Sequence, residues 1–131
     1  MPIEFINPET LSKPRGYSQI AVTTGRRTAY ISGQVGVGAD GKVVGEDAAA
    51  QTTQALANLG ACLDAIGAAW TNVARIAIYV VNLGPENGRA VGQACAAFLP
   101  AENPPAGVVL GIQALARPEF LVEIEAVAVL D

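Results

Sequence analysis

The chain contains no histidine. That removes the commonest general base and the commonest metal ligand, and it excludes Ser-His-Asp and Cys-His catalysis outright. Cysteine is scarce as well. Cys62 and Cys95 both fall in alanine-rich, helix-like stretches. They read as small core residues in a reducing compartment, not as a disulfide framework. With no Cys-x-x-Cys spacing, a zinc hydrolase would have to be built from cysteines and carboxylates alone, and no metal site is expected. Any catalysis must therefore rest on carboxylates, tyrosine, hydroxyls, backbone amides or ordered water.

Two further absences narrow the class. There is no uninterrupted apolar run of about eighteen residues, and no charged start leading into an apolar segment. No membrane partner is expected, and the protein reads as soluble and cytoplasmic. Nor is there a basic stripe with interleaved aromatics: Arg15, Arg26, Arg27, Arg75, Arg89 and Arg117 are scattered, and the net charge is −4. Nucleic acid is thus disfavoured as the main ligand. What the chain does have is apolar mass. Its 131 residues are 51% hydrophobic, enough for one domain over 1–131 with its own core.

Taken in order, Ile3-Glu4-Phe5-Ile6 reads as a short edge strand. Asn7-Pro8 and Lys13-Pro14-Arg15-Gly16 follow as loop. Ile20 to Thr23 and Thr28 to Ser32, joined at Thr24-Gly25-Arg26-Arg27, read as a hairpin. Asp40-Gly41 marks a tight turn. From about Glu46 to Ile66 the sequence is free of proline and starts with two acidic residues, which suit the positive end of a helix dipole. Thr52, Leu56, Leu59, Leu63 and Ile66 form its apolar stripe, read as core. Val73 to Val81 is a β-branched, nearly unbroken strand, hence central. A second helix, roughly Glu86 to Leu99, is weakened by Gly88 and Gly92.

The closing stretch from Asn103 to Val129 reads as two strands that meet across a sheet. Alternation puts Phe120, Val122, Ile124, Ala126 and Ala128 on one face and Leu121, Glu123, Glu125, Val127 and Val129 on the other. Two carboxylates sharing a face of an apolar strand are costly to bury without partners. They belong either to a solvated edge face or to a cleft that keeps a carboxylate for work on a ligand or water. One mixed sheet with two helices on a single face is the α+β arrangement this order implies. Its other face would stay partly apolar, and self-association would cover it.

Several segments together resemble the RidA/YjgF family. They are Gly16-Tyr17-Ser18-Gln19, Tyr30-Ile31-Ser32-Gly33-Gln34, the helix segment from Gln54 to Leu59, the strand before Asn82-Leu83, and Val122-Glu123-Ile124-Glu125-Ala126-Val127-Ala128. The resemblance implies a chorismate-mutase-like α+β domain with a mixed six-stranded sheet. It also implies a barrel-like homotrimer with three clefts at the subunit boundaries. Deaminating members hydrolyse enamines or imines such as 2-aminoacrylate to a keto acid and ammonia, with no metal and no cofactor. By the same resemblance Glu123 would hold the attacking water, with Tyr17, Ser32 and Gly33 lining the cleft.

The sequence departs from the family where a Pro-Ala-Arg motif would clamp the substrate carboxylate. It reads Pro105-Ala106-Gly107, so the clamp position falls on Gly107. A family asparagine of the second helix falls nearest Gly92. Hydrogen bonds to charged groups contribute about 1.5–3 kcal/mol, so losing the guanidinium should cost about one to two decades in affinity. Arg15 or Arg117 could substitute from elsewhere, and Glu125 reads as an interface or rim carboxylate. Restoring arginine at 107 is expected to restore the clamp wherever the backbone accepts it. Three functions follow. The first is an imine or enamine hydrolase with altered substrate preference, and the second a non-catalytic trimer that binds a small metabolite. The third, RNA cleavage or translation inhibition, has little support from the acidic balance and the absence of histidine.

Overall fold

β-Branched runs form the strands, and alanine-rich runs between turn residues form the helices. The computed structural model describes residues 2–131, with strands β1 (Ile3–Ile6), β2 (Ile20–Thr23) and β3 (Arg27–Val35), then helix α1 (Ala48–Ala65). Strand β4 (Val73–Val81), helix α2 (Pro85–Ala96), β5 (Ala106–Ile112) and β6 (Val122–Leu130) complete the order. α1 begins where its acidic pair predicts, with the Asp47 carboxylate accepting from the Ala50 amide at 2.8 Å. α2 begins with proline at its first position, where a missing N–H costs nothing. Among the described residues no helix is long and apolar enough to cross a membrane.

The sheet is mixed, as expected, but the six strands do not share it. Four form one sheet in the order β3-β6-β4-β5, and β1 and β2 pair separately. Two local expectations fail with this. Ile20–Thr23 pairs with Ile3–Ile6 and not with the strand after it, so Thr24 to Arg27 does not close a hairpin. β5 and β6 do not meet either, because β4 lies between them, parallel to β5 and antiparallel to β6. The β-branched character of β4 is explained by that central place.

Both helices cover one face. Val122, Ile124, Ala126 and Ala128 of β6 are buried in one cluster with Leu56, Leu59 and Leu63 of α1 and Val91 and Cys95 of α2. Each fully buried aliphatic side chain contributes about 1.5–3 kcal/mol, so this cluster is the main source of stability. Ile66, the last residue of the predicted stripe, caps the helix and is only half-buried.

Two polar residues on the covered face of α1 tie the helix to the strands that carry the site. Buried Gln51 donates to the carbonyls of Glu119 at 3.0 Å and Gly45 at 3.3 Å, and accepts from the Leu121 amide at 2.8 Å. Asn58 donates to the carbonyls of Val35 at 3.1 Å and Val37 at 2.9 Å. The start of β6 and the end of β3 are thereby fixed against the same helix.

Candidate functional site

The bare face of the four-stranded sheet carries one group of expected site residues. Between Ile31 and Gln34 the pairing of β3 with β6 slips by one residue, so Ser32 and Gly33 form a bulge. A β-carbon on Gly33 would fall on the Glu123 carboxylate, so glycine is what lets that carboxylate lie against the bulge. Glu123 pairs across the sheet with Tyr79, and Glu125 sits beside it, accepting a hydrogen bond from the Tyr79 hydroxyl. That hydrogen bond raises the Tyr79 phenol above its ordinary range. Desolvation and the charge of Glu125 add to the rise, while Arg75 works against it. Glu125 is thus engaged by a neighbour. Glu123 has no ion-pair partner among the described residues.

A second group lies across the sheet. Gly107 pairs with Ile76 and Val109 with Ile78, both core-facing residues of β4. Since Ile76 and Tyr79 are an odd number of residues apart on one strand, Gly107 faces the helices and Glu123 faces away. Here β5 and α2 flank a half-open cavity of about 520 Å³, lined by Arg15, Tyr17, Gly88, Gly92, Cys95 and Gly107 among others. Ser18 holds the loop at the mouth: its hydroxyl donates to the Pro104 carbonyl and its amide to that of Pro105 at 3.2 Å. Ser18 is buried, so the loop bearing Arg15 and Tyr17 is fastened to the start of β5.

The structure therefore sorts the expected residues into two sets. Ser32, Gly33 and Glu123 share one face, whereas Tyr17 and Gly107 line the cavity on the other. Of the two substitute arginines, Arg15 lines the cavity. Arg117 pairs with Glu119 and lies 5.2 Å over the Phe120 ring. Cys95, read as core, also forms part of the cavity wall, and burial pushes its thiol up to about 11. It is a protonated, weakly polar surface at neutral pH. Sequence reasoning missed Gln51, Asn58 and Tyr79, each of which has a partner more than twenty residues away: Glu119 and Leu121 for Gln51, Val35 and Val37 for Asn58, and Glu125 for Tyr79. Among the described residues no group of three cysteine, aspartate or glutamate side chains could hold a metal ion.

Two helices on a mixed sheet define an α+β domain with a bulge-carboxylate face and a helix-side cavity. The family description Endoribonuclease L-PSP matches residues 9–130, and the chain belongs to this family, the RidA/YjgF proteins. The human 2-iminobutanoate/2-iminopropanoate deaminase is 33% identical over 114 residues, covering 86% of this chain and 79% of the human protein. Among solved structures, the Rid-family protein YyfB from Yersinia pestis superposes with a TM-score of 0.94 at 44% identity, covering 99% of this chain and all of the other. A YjgF/YER057c/UK114-family protein from Mycobacterium tuberculosis gives a TM-score of 0.67 at 31% identity, covering 88% of this chain and 87% of that one.

Proposed function

We propose that the chain is an imine or enamine hydrolase of the deaminase type, working as a homotrimer with clefts between subunits. The observation that carries this reading is the placement of Glu123 against the Gly33 bulge, on a face that also exposes apolar surface. Tyr30 is 82% exposed there, and Val108 and Leu110 are 41% and 46% exposed. Another copy seated on this face would cover those side chains and bring its Tyr17–Gly107 cavity toward the carboxylate. The single chain keeps the two sets on opposite faces, so a shared cleft is the arrangement that joins them. The kinship with a human deaminase supports the same chemistry.

In the proposed reaction Glu123 accepts a hydrogen bond from a water whose oxygen adds to the imine carbon. The carbon–nitrogen bond then breaks and a carbonyl forms. Both water protons leave on the nitrogen, which departs as ammonia. The imine carbon is already electrophilic, so an oriented nucleophile suffices.

A second reading, a non-catalytic binder of a small metabolite, draws on Gly107. By resemblance that position should bear the arginine that clamps the substrate carboxylate, and glycine cannot make a bidentate contact. Ammonia release from a panel of imines, with and without an α-carboxylate, separates the two. Turnover of at least one imine supports the hydrolase, and saturable binding without ammonia from any of them supports the binder.

A further inference from the structure

The cavity between α2 and β5 is larger than a short imino acid requires. At no more than about 30 Å³ per heavy atom, the share of one water in the liquid, a four-carbon imino acid occupies roughly 200 Å³. The cavity holds about 520 Å³. The excess room has a local cause, since Gly88 and Gly92 of α2 leave part of the wall without side chains. Glycine is a poor helix residue compared with alanine. At Gly92 packing does not demand it, because a β-carbon there would meet nothing within 4 Å. The space that an ordinary helical residue would fill is left open.

The chemistry of the lining is one-sided. Val91, Cys95 and Leu99 make an apolar floor, and among the described residues Arg15 is the only charged one that lines the cavity. Buried thiols such as Cys95 stay neutral, so nothing in the floor attracts a charge. Arg15 sits on the loop that Ser18 fastens over the start of β5, beside Tyr17. A guanidinium at the mouth of an apolar cavity suits a ligand with an anionic head and an apolar body.

We propose that this cavity takes the bulky apolar side chain of a carboxylate-bearing imine or enamine, with Arg15 holding the carboxylate and Gly92 setting the depth. The proposal rests on the deaminase reading for the word imine; the binding it describes does not require turnover. Calorimetric titration of the assembled protein with two keto acids of the product type is the test: 2-oxobutanoate, and the longer, branched 4-methyl-2-oxopentanoate. Each additional buried methylene strengthens binding about three- to fourfold, so the branched acid should bind roughly tenfold more tightly. Gly92→Leu should bring the ratio of affinities close to one. Gly92→Ala, which alters the helix less, should lower it part of the way. Arg15→Gln should weaken both acids by about tenfold and keep their ratio.

Equal affinity for the two acids, a ratio that survives Gly92→Leu, or no binding of either acid would each overturn the proposal. An unchanged affinity in Arg15→Gln would remove Arg15 as the clamp. The hydrolase reading fails separately: preference for the branched acid with no ammonia from any imine leaves the cavity assignment standing and removes the reaction.

Discussion

Gly107 lies so close to the carbonyl of Ile76 on the neighbouring strand that no β-carbon fits between them. Restoring an arginine there therefore cannot restore a clamp, contrary to the expectation from sequence, because β5 would first have to move off β4. Gly107→Arg should destabilise the fold by about 1–3 kcal/mol, the usual cost of forcing atoms into a packed site. It should give no gain in hydrolysis of 2-iminobutanoate. Urea unfolding and steady-state ammonia release check both parts; a variant as stable as wild type and more active would show that β5 can shift.

Gln51 offers a test of how the site is held. Its side chain serves Glu119, Gly45 and Leu121 at once, at the point where the chain enters β6. Gln51→Leu keeps the bulk but strands those backbone groups in the interior, at a cost of about 1–3 kcal/mol or more. Gln93→Ala, on the exposed side of α2, should change stability by no more than about 0.5 kcal/mol. Chemical denaturation of the two variants should separate them clearly.

What the sequence made legible was periodic. The stripe of α1 from Thr52 to Leu63 and the inward face of β6 follow repeats of 3.6 and 2, the nearly unbroken β-branched run of β4 marks it as central, and each lies where the pattern put it. Pairing partners were not legible, because alternation in Ile20–Thr23 says which face is apolar and not which strand lies alongside. Arg27 follows a turn-like Thr-Gly pair, yet β3 goes to β6, roughly a hundred residues along the chain. Among the site residues, Glu123 and Gly33 could be named from their motifs, while their direct contact depends on a bulge that no local signal marks. The cavity is lined by residues of α2, β5 and the loop around Tyr17, and only folding brings Gly92, Gly107 and Tyr17 to one wall.

The Tyr79 phenol should ionise only above the ordinary tyrosine range. Its phenol is raised above the ordinary range, chiefly by donating to Glu125. A raised folded-state pKa means the interaction is fully present at lower pH and is lost as pH climbs through that raised value. Ultraviolet titration of tyrosinate should show one late step that vanishes in Tyr79→Phe. Absence of any late step would contradict the hydrogen bond.

Assembly can be measured independently of chemistry. Sedimentation equilibrium at micromolar concentration should give three times the chain mass of 13.4 kDa, because the exposed face around Tyr30, Val108 and Leu110 needs cover. Tyr30→Lys, which places a charge on that face, should shift the equilibrium toward smaller species. A stable wild-type monomer would sink the shared-cleft proposal.

The central claim is that Glu123, and not Glu125, holds the attacking water. The two carboxylates share a strand and a face, but Glu125 is engaged by Tyr79 whereas Glu123 lies against the Gly33 bulge. The direct measurement is the rate of ammonia release by Glu123→Gln and Glu125→Gln on the best imine substrate, with assembly verified for both. Glu123→Gln should lose about two to four decades in kcat, the usual contribution of a positioned acid–base group, and Glu125→Gln less than about tenfold. Equal losses from both variants, or no loss from Glu123→Gln, would contradict the account.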